Sequence, residues 1–140
     1  MTQKIDTNLL KRVPLFEGLS RSDLKAVLKE TNAETFPAGR VIVKEGSAGG
    51  RFFLIIEGLA KVSINGRTRT TLGPGDFFGE MSLIDRSPRS ATVTAETGVQ
   101  ALSLASWNLL ALLEEHWALT HKVLKVLAAR IRELDRDASI

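Results

Sequence analysis

Residues able to do chemistry concentrate between positions 72 and 91, in the run LGPGDFFGEMSLIDRSPRSA. Gly73, Pro74 and Gly75 turn the chain, and Gly79 lets a backbone come close to another group. The residues from Glu80 to Ile84 are then placed to form a short helical turn. The N-terminus of such a turn offers unpaired backbone N–H groups and a partial positive charge, which suits a phosphate. Arg89 follows where the next strand should begin. Its planar guanidinium can hold two phosphate oxygens at once, which an ammonium cannot. A carboxylate at Glu80 would repel a free phosphate, so it makes better sense as an acceptor for a sugar hydroxyl at the far side of the ligand. The chemistry written here is recognition of a phosphate joined to a sugar.

Other chemistries are poorly served. The chain has 140 residues and no cysteine, which removes disulfides, thiolate metal sites and a cysteine nucleophile. His116 and His121 stand five apart, not at the i, i+4 spacing of a helical metal pair, and read as surface or helix-junction residues; no metal is expected. No nucleophile–base set is present and nothing would hold a metal-activated water, so an enzyme is not expected. The net charge is a mild +3, with 16 acids among 19 bases. That balance tolerates an anionic ligand but does not build the one-signed field of a nucleic-acid binder, so direct contact with nucleic acid is not expected. No signal-like leader and no apolar run of roughly 18 to 20 residues is present, so the chain reads as soluble, cytoplasmic and free of membrane spans.

The elements that must position these residues fall into three zones of one domain, 1–140. Over 1–33 the pattern is helical: Ser20 with Asp23 three residues on is a capping box, and Leu24, Val27 and Leu28 follow at helical spacing. VPLFEGL ahead of it reads as a short turn that tucks Leu15 and Phe16 under the core. Over 34–104 the period changes to two. Val41 and Val43, Phe53 and Ile55, Ala60 with Val62 and Ile64, then Ala91 with Val93 and Ala95 mark strands, and 99–104 makes a last one. Asn65-Gly66 favours the two-residue hairpin turn with positive φ at both positions. Over 105–140 helices return: Ser106 is placed to cap the first, and the second carries Thr120, Leu124, Leu127, Ile131 and Leu134 on a stripe that should cover apolar surface. Trp107 and Trp117 read as packing anchors between helices and roll. Lys and Arg within 122–136 read as a solvated face. The expected fold class is α+β: an antiparallel, jelly-roll-like β-roll of about eight strands, flanked by N-terminal helices and two C-terminal helices.

FGEMSLIDRSPRSATV resembles the phosphate-binding cassette of the cyclic-nucleotide-binding domain family, found in cAMP-dependent kinases, bacterial cAMP-responsive regulators and nucleotide-gated channels. The cassette reads FGE, two small or apolar residues, Leu, a variable loop, then Arg, a small residue and Ala, and it spans 77–91 here. VPLFEGL, PAGRVIVKEGSAGGRFFLIIEG and LGPGDFFGE resemble the family's framework, so the likeness extends from about Leu9 to Arg136. The resemblance implies that Arg89 pairs with the cyclic phosphate, with backbone N–H groups near Ser82, Ser90 and Ala91 completing the cradle. It implies that Glu80 accepts the ribose 2′-hydroxyl against the Gly79 backbone, and that Phe78 and Met81 back or line the pocket. The base would meet apolar strand residues and the last helix as a lid, through Leu127 and Arg130.

The function so implied is a cyclic-nucleotide sensor whose occupancy moves the C-terminal helices. The ligand is cAMP or, alternatively, cGMP; cGMP-preferring members resemble this cassette with Thr after the arginine, and Ser90 in that place leans to cAMP. No cofactor is implied, and the downstream protein partner is not specified. The last helix offers a seam through which two copies could pair. Two other readings stand: a protein-interaction module with a non-functional cassette, and the sensor piece of a channel or transcription regulator. The bacterial regulators carry a helix-turn-helix after the last helix, an output not expected from a sequence that runs to Ile140 unless it is a fragment of a longer protein.

Overall fold

The computed structural model describes residues 4–79 and 87–134. In chain order these form α1 (Thr7–Lys11), a 3₁₀ turn (Pro14–Phe16), α2 (Arg21–Glu30), β1 (Asn32–Phe36), β2 (Val41–Val43), β3 (Arg51–Glu57), β4 (Ala60–Ile64), β5 (Arg67–Leu72), β6 (Phe77–Phe78), β7 (Thr92–Ala95), β8 (Val99–Ala105), α3 (Ser106–Glu115) and α4 (Trp117–Leu134). The fold is α+β. Two antiparallel four-stranded sheets, ordered β1-β8-β3-β6 and β2-β7-β4-β5, face each other as a roll. Glu80, Met81, Ser82 and the helical turn expected over 80–84 lie outside the described residues.

β3 explains how roll and helices cohere. Its five central residues are all buried, because both faces of the strand are covered. Phe52, Leu54 and Ile56 enter a core shared with α2, α3, α4 and the 3₁₀ turn, while Phe53 and Ile55 enter a second core inside the roll. β8 is paired with β3 from Arg51↔Ala105 to Glu57↔Gln100 and divides its side chains the same way: Leu102 and Leu104 against the helices, Val99 and Ala101 inward. An unbroken apolar run such as FFLII is thus a strand with a core on each side. Asn65 and Gly66, at φ 52° and 78°, make the turn that returns β4 into β5.

The N-terminal segment follows its sequence signals. Ser20 Oγ accepts from the Asp23 N–H at 3.1 Å, and the Asp23 carboxylate accepts from the Ser20 N–H at 3.2 Å. Leu15 and Phe16 are buried in the helix-side core. The roll begins slightly earlier than expected, at Asn32, since 32–36 pair in full register with β8.

The C-terminal helices depart from their sequence reading in three respects. Ser106 does not cap α3: the N-cap is Ala105, and the Ser106 hydroxyl is buried without a hydrogen-bond partner. Trp107 and Trp117 are not packing anchors, being 72% and 69% exposed. On α4 the covering face is Leu119 and Val123, joined by half-buried Val126 and Leu127, whereas Leu124 and Ile131 are exposed. The expected stripe follows a seven-residue spacing. The helix presents to the core a strip rotated from it, at i, i+4, i+7 and i+8 from Leu119.

An ion pair and a close histidine–carboxylate contact tie the helices to the N-terminal segment. Lys122 Nζ on α4 lies 2.9 Å from Glu17 Oε2, just past the 3₁₀ turn. The hydrogen bond and charge of Lys122, with a smaller contribution from Lys125, hold the Glu17 carboxyl below the usual carboxylate range. His116, at the α3–α4 junction, has Nδ1 3.4 Å from Asp23 Oδ1 and is largely buried, so it is a junction residue and not a surface one. Among the described residues no helix is long and apolar enough to cross a membrane, and no cluster of His, Asp and Glu is suited to a metal.

Candidate functional site

A cavity of about 570 Å³ opens between the β2-β7-β4-β5 sheet, the 76–79 and 89–91 segments and α4. Gly79, Arg89, Ser90 and Ala91 line one part of it, beside Phe78. Val62, Leu72 and Val93 supply apolar wall from the roll. Val126, Arg130 and Glu133 close it from α4. This is the size and make-up of a small-ligand site: mostly apolar walls with a few convergent polar groups.

Arg89 is the most tightly specified polar residue in the site. It is only 9% exposed, and its guanidinium Nη2 donates to the Arg51 carbonyl at 3.0 Å. Its backbone is fastened on both sides, with its N–H donating to Ser47 O at 2.8 Å and its carbonyl accepting from Gly46 N–H at 2.9 Å. A cation buried and held this way has already lost much of its side-chain entropy, so an anion meets it without that cost.

Gly79 is required by this arrangement. Its φ is +96°, and a Cβ there would stand 2.5 Å from the Arg51 carbonyl oxygen and 2.9 Å from Arg89 Nη1. Only glycine fits where β6 ends against both the edge of β3 and the arginine. Phe78 packs beneath the site, stacked on Phe53 at 5.0 Å between centroids.

Arg130 reaches down from α4 onto β6. Its Nη2 donates to the Phe77 carbonyl at 2.6 Å, and its guanidinium lies 4.9 Å from the centre of the Phe77 ring. It is therefore not part of a solvated face, whereas Lys125 and Arg132 are exposed as expected and Lys122 forms an exposed pair with Glu17. Leu127, expected to share the lid contact, does not line the cavity; it packs against the helix-side core, and Val126 takes the place facing the cavity. One residue along a helix turns a side chain by about 100°, which loose spacing in the sequence does not resolve.

The structure thus brings Phe78, Gly79, Arg89, Ser90, Ala91 and Arg130 around one cavity and puts Leu127 elsewhere. Thr70 and Thr71 on β5, and Glu133 on α4, also line it and were not anticipated. The alternating pattern of β4 and its Asn-Gly hairpin point to β5 as a wall. No local signal says which residues of RTRTTL turn inward, because the strand is exposed for most of its length and Val62/Ser63 carry a register shift.

Comparison with known proteins agrees with this geometry. The family described as cyclic nucleotide-binding domain matches residues 33–116. A cyclic nucleotide-gated potassium channel of Mesorhizobium japonicum is 47% identical over 98 residues, covering 70% of this chain and 27% of the channel. A CRP-like cAMP-activated global transcriptional regulator of Mycobacterium tuberculosis is 32% identical over 134 residues, covering 92% of this chain and 60% of the regulator. The crystal structure of the Thermus thermophilus catabolite activator protein superposes with a TM-score of 0.80 at 33% identity, over 90% of this chain and 62% of that one. The chain spans about a quarter of the channel and less than two thirds of the regulator it matches. With a transcriptional regulator among the relatives, the expectation that nucleic acid is no partner has no support.

Proposed function

The chain belongs to the cyclic nucleotide-binding domain family, and from that premise we propose that it is a cAMP sensor, with cGMP the weaker ligand, acting as a binding module and not as an enzyme. The observation that carries this reading is the fixed, buried guanidinium of Arg89 at the wall of a cavity otherwise mostly apolar. The cyclic phosphate binds Arg89 and the backbone N–H groups of Ser90 and Ala91. The ribose lies along Gly79, with Glu80 accepting its 2′-hydroxyl and Met81 and the Ser82 amide adjoining. The base extends over Val62 and Leu72 towards α4. Residues 1–140 work as one unit in a reducing, cytoplasmic setting.

Occupancy couples to α4 through Arg130. A ligand shifts a helix only by binding one of its placements better. Arg130 joins α4 to Phe77, and both residues line the cavity, so a base arriving there changes what that guanidinium can contact. Trp117, Leu124 and Ile131 recur every seven residues on α4 and are all exposed, which supports pairing of two copies along this helix.

Calorimetric titration with cAMP and cGMP, with sizing of the complex, tests the reading. Arg89→Leu should weaken binding by about 100-fold, as expected for removing one partner of a desolvated charge pair, with the fold retained. Unchanged affinity in that variant would show that the phosphate sits elsewhere. Leu124→Glu should shift any dimer to monomer.

A further inference from the structure

His116 is the one residue between α3 and α4, and its backbone serves both helices. Its N–H donates to the Leu112 carbonyl at 3.0 Å, closing α3. Its own carbonyl accepts the Thr120 N–H at 3.1 Å and the Thr120 hydroxyl at 3.3 Å, in the first turn of α4. Between these bonds the residue is extended, at φ −128° and ψ 92°, and sets the angle at which the helices meet. Its side chain is largely buried. Nδ1 lies 3.4 Å from Asp23 Oδ1 on α2, and Nε2 is buried with no hydrogen-bond partner among the described residues. Asp23 is itself committed, since its Oδ2 accepts the Ser20 N–H in the cap of α2.

A neutral imidazole carries one N–H and an imidazolium two. Asp23 can take one of them, and no second acceptor is in reach. A buried N–H without a partner loses its hydration and gains nothing in return. The attraction of Asp23 offsets this only in part, because that carboxylate is partly exposed and solvent screens it. A doubly protonated ring therefore favours an arrangement in which Nε2 reaches water or another acceptor. Turning the ring outward shifts the backbone groups that close α3 and open α4. The other charged groups at this joint are engaged elsewhere or solvated. Glu17 and Lys122 pair with each other at 2.9 Å, while Arg21 and Lys25 on α2, Glu114 and Glu115 on α3 and His121 on α4 are exposed.

We propose that His116 is a proton-operated joint: protonation of its ring moves α4, and with it Val126 and Arg130 at the cavity, so that acid weakens cyclic-nucleotide binding. The placement of α4 that closes the cavity is the one that suits the neutral ring. Ligand and proton thus favour different placements, and by linkage nucleotide binding expels a fraction of a proton from His116 to solvent. Histidine ordinarily changes charge between about pH 5 and 8, and the chain holds only two, His116 and His121. His121, exposed and stacked on Trp117, serves as an internal control.

The joint stands on its own geometry, while its effect on nucleotide rests on the sensor reading. The test keeps these apart. In its first arm, without nucleotide, the His121→Gln protein, whose one histidine is His116, is followed by NMR from about pH 7.5 to about pH 5.5. The His116 ring should take up a proton, and amides of 113–126 should shift with the same midpoint. Those amide shifts should be absent in His116→Gln. A ring that takes up no proton in this range, or that does so while the α4 amides stay still, overturns the joint. Amide shifts that persist in His116→Gln overturn it as well. Because the ring is read directly in a protein that keeps His116, this arm decides even where His116→Gln does not fold.

In the second arm, the apparent Kd of wild type for cAMP should rise about fivefold over the same range and stay level in His116→Gln. At about pH 6.5 the calorimetric enthalpy should depend on the ionisation enthalpy of the buffer, which reports the released proton, and this dependence should vanish in His116→Gln. An equal rise in both proteins, or none in wild type, overturns the coupling. Absence of cAMP binding at every pH defeats the sensor reading and leaves the first arm to decide the joint.

Discussion

Gly79→Ala offers a prediction whose size can be worked from the backbone. Among the glycines of nearly equal positive φ are Gly39 at +89°, Gly58 at +95° and Gly79 at +96°. Alanine in the left-handed region costs about 1–2 kcal/mol, partly offset by about 0.4–1 kcal/mol from a less flexible unfolded chain. At Gly39 a Cβ meets nothing within 4 Å, so Gly39→Ala isolates this conformational cost, about 0.5–1 kcal/mol net. At Gly79 the added carbon lies 2.5 Å from the Arg51 carbonyl oxygen and 2.9 Å from Arg89 Nη1, which adds an overpacking cost of about 1–3 kcal/mol. The total is about 1.5–4 kcal/mol lost in Gly79→Ala, with weaker cAMP binding because Arg89 must move. Gly58→Ala would collide with the Gly98 carbonyl, neither residue lining the cavity, and should lose comparable stability with unchanged affinity among the molecules that remain folded. Urea unfolding of all three variants, read with their slopes, measures the stabilities, and calorimetry measures the affinities. If Gly79→Ala were no less stable than Gly39→Ala, or bound cAMP as tightly as wild type, the close fit of β6 against β3 and Arg89 would be refuted.

Arg130→Ala removes a hydrogen bond and a cation–π contact between α4 and β6, so α4 amides should exchange faster by about 1–2 kcal/mol of protection, measured by hydrogen exchange. The Glu17–Lys122 pair should make part of the stability depend on pH. The Glu17 carboxyl is held low in the folded chain, so its contribution is present above the ordinary carboxylate range and is lost as pH falls through that range and below it. Lys122→Ala should therefore differ from wild type in thermal unfolding at neutral pH and converge with it in acid. Leu119→Ala should cost about 2–4 kcal/mol, because the side chain is fully buried between helices and roll. Trp107→Ser, by contrast, should stay within about 0.5 kcal/mol of wild type by chemical denaturation.

Much of this protein is written locally. The Ser20–Asp23 capping box, the Asn65-Gly66 turn and the two-residue alternation of β4 and β7 each depend on groups a few residues apart, and each forms as its sequence implies. Gly79 and Arg89 also declare themselves by type: one where only glycine fits, the other a planar cation, though it lies three residues ahead of β7 and not at the strand start that the sequence suggests. What their types do not state is the partner of each. Arg51 supplies the carbonyl that steers Arg89, from 38 positions away, and the same carbonyl forbids a side chain at Gly79. The α4 helix shows the limit most plainly. Its amphipathic pattern holds two apolar strips, and only the packing of Leu119 and Val123 against the helix-side core selects which one is covered. That choice sends Val126 and Arg130 to the cavity, Leu127 to the core, and Trp117, Leu124 and Ile131 to the outside. Short-range hydrogen bonding determined the elements and the chemistry of the pocket; long-range packing decided which faces meet, because burial acts on contacts between distant segments that no local spacing encodes.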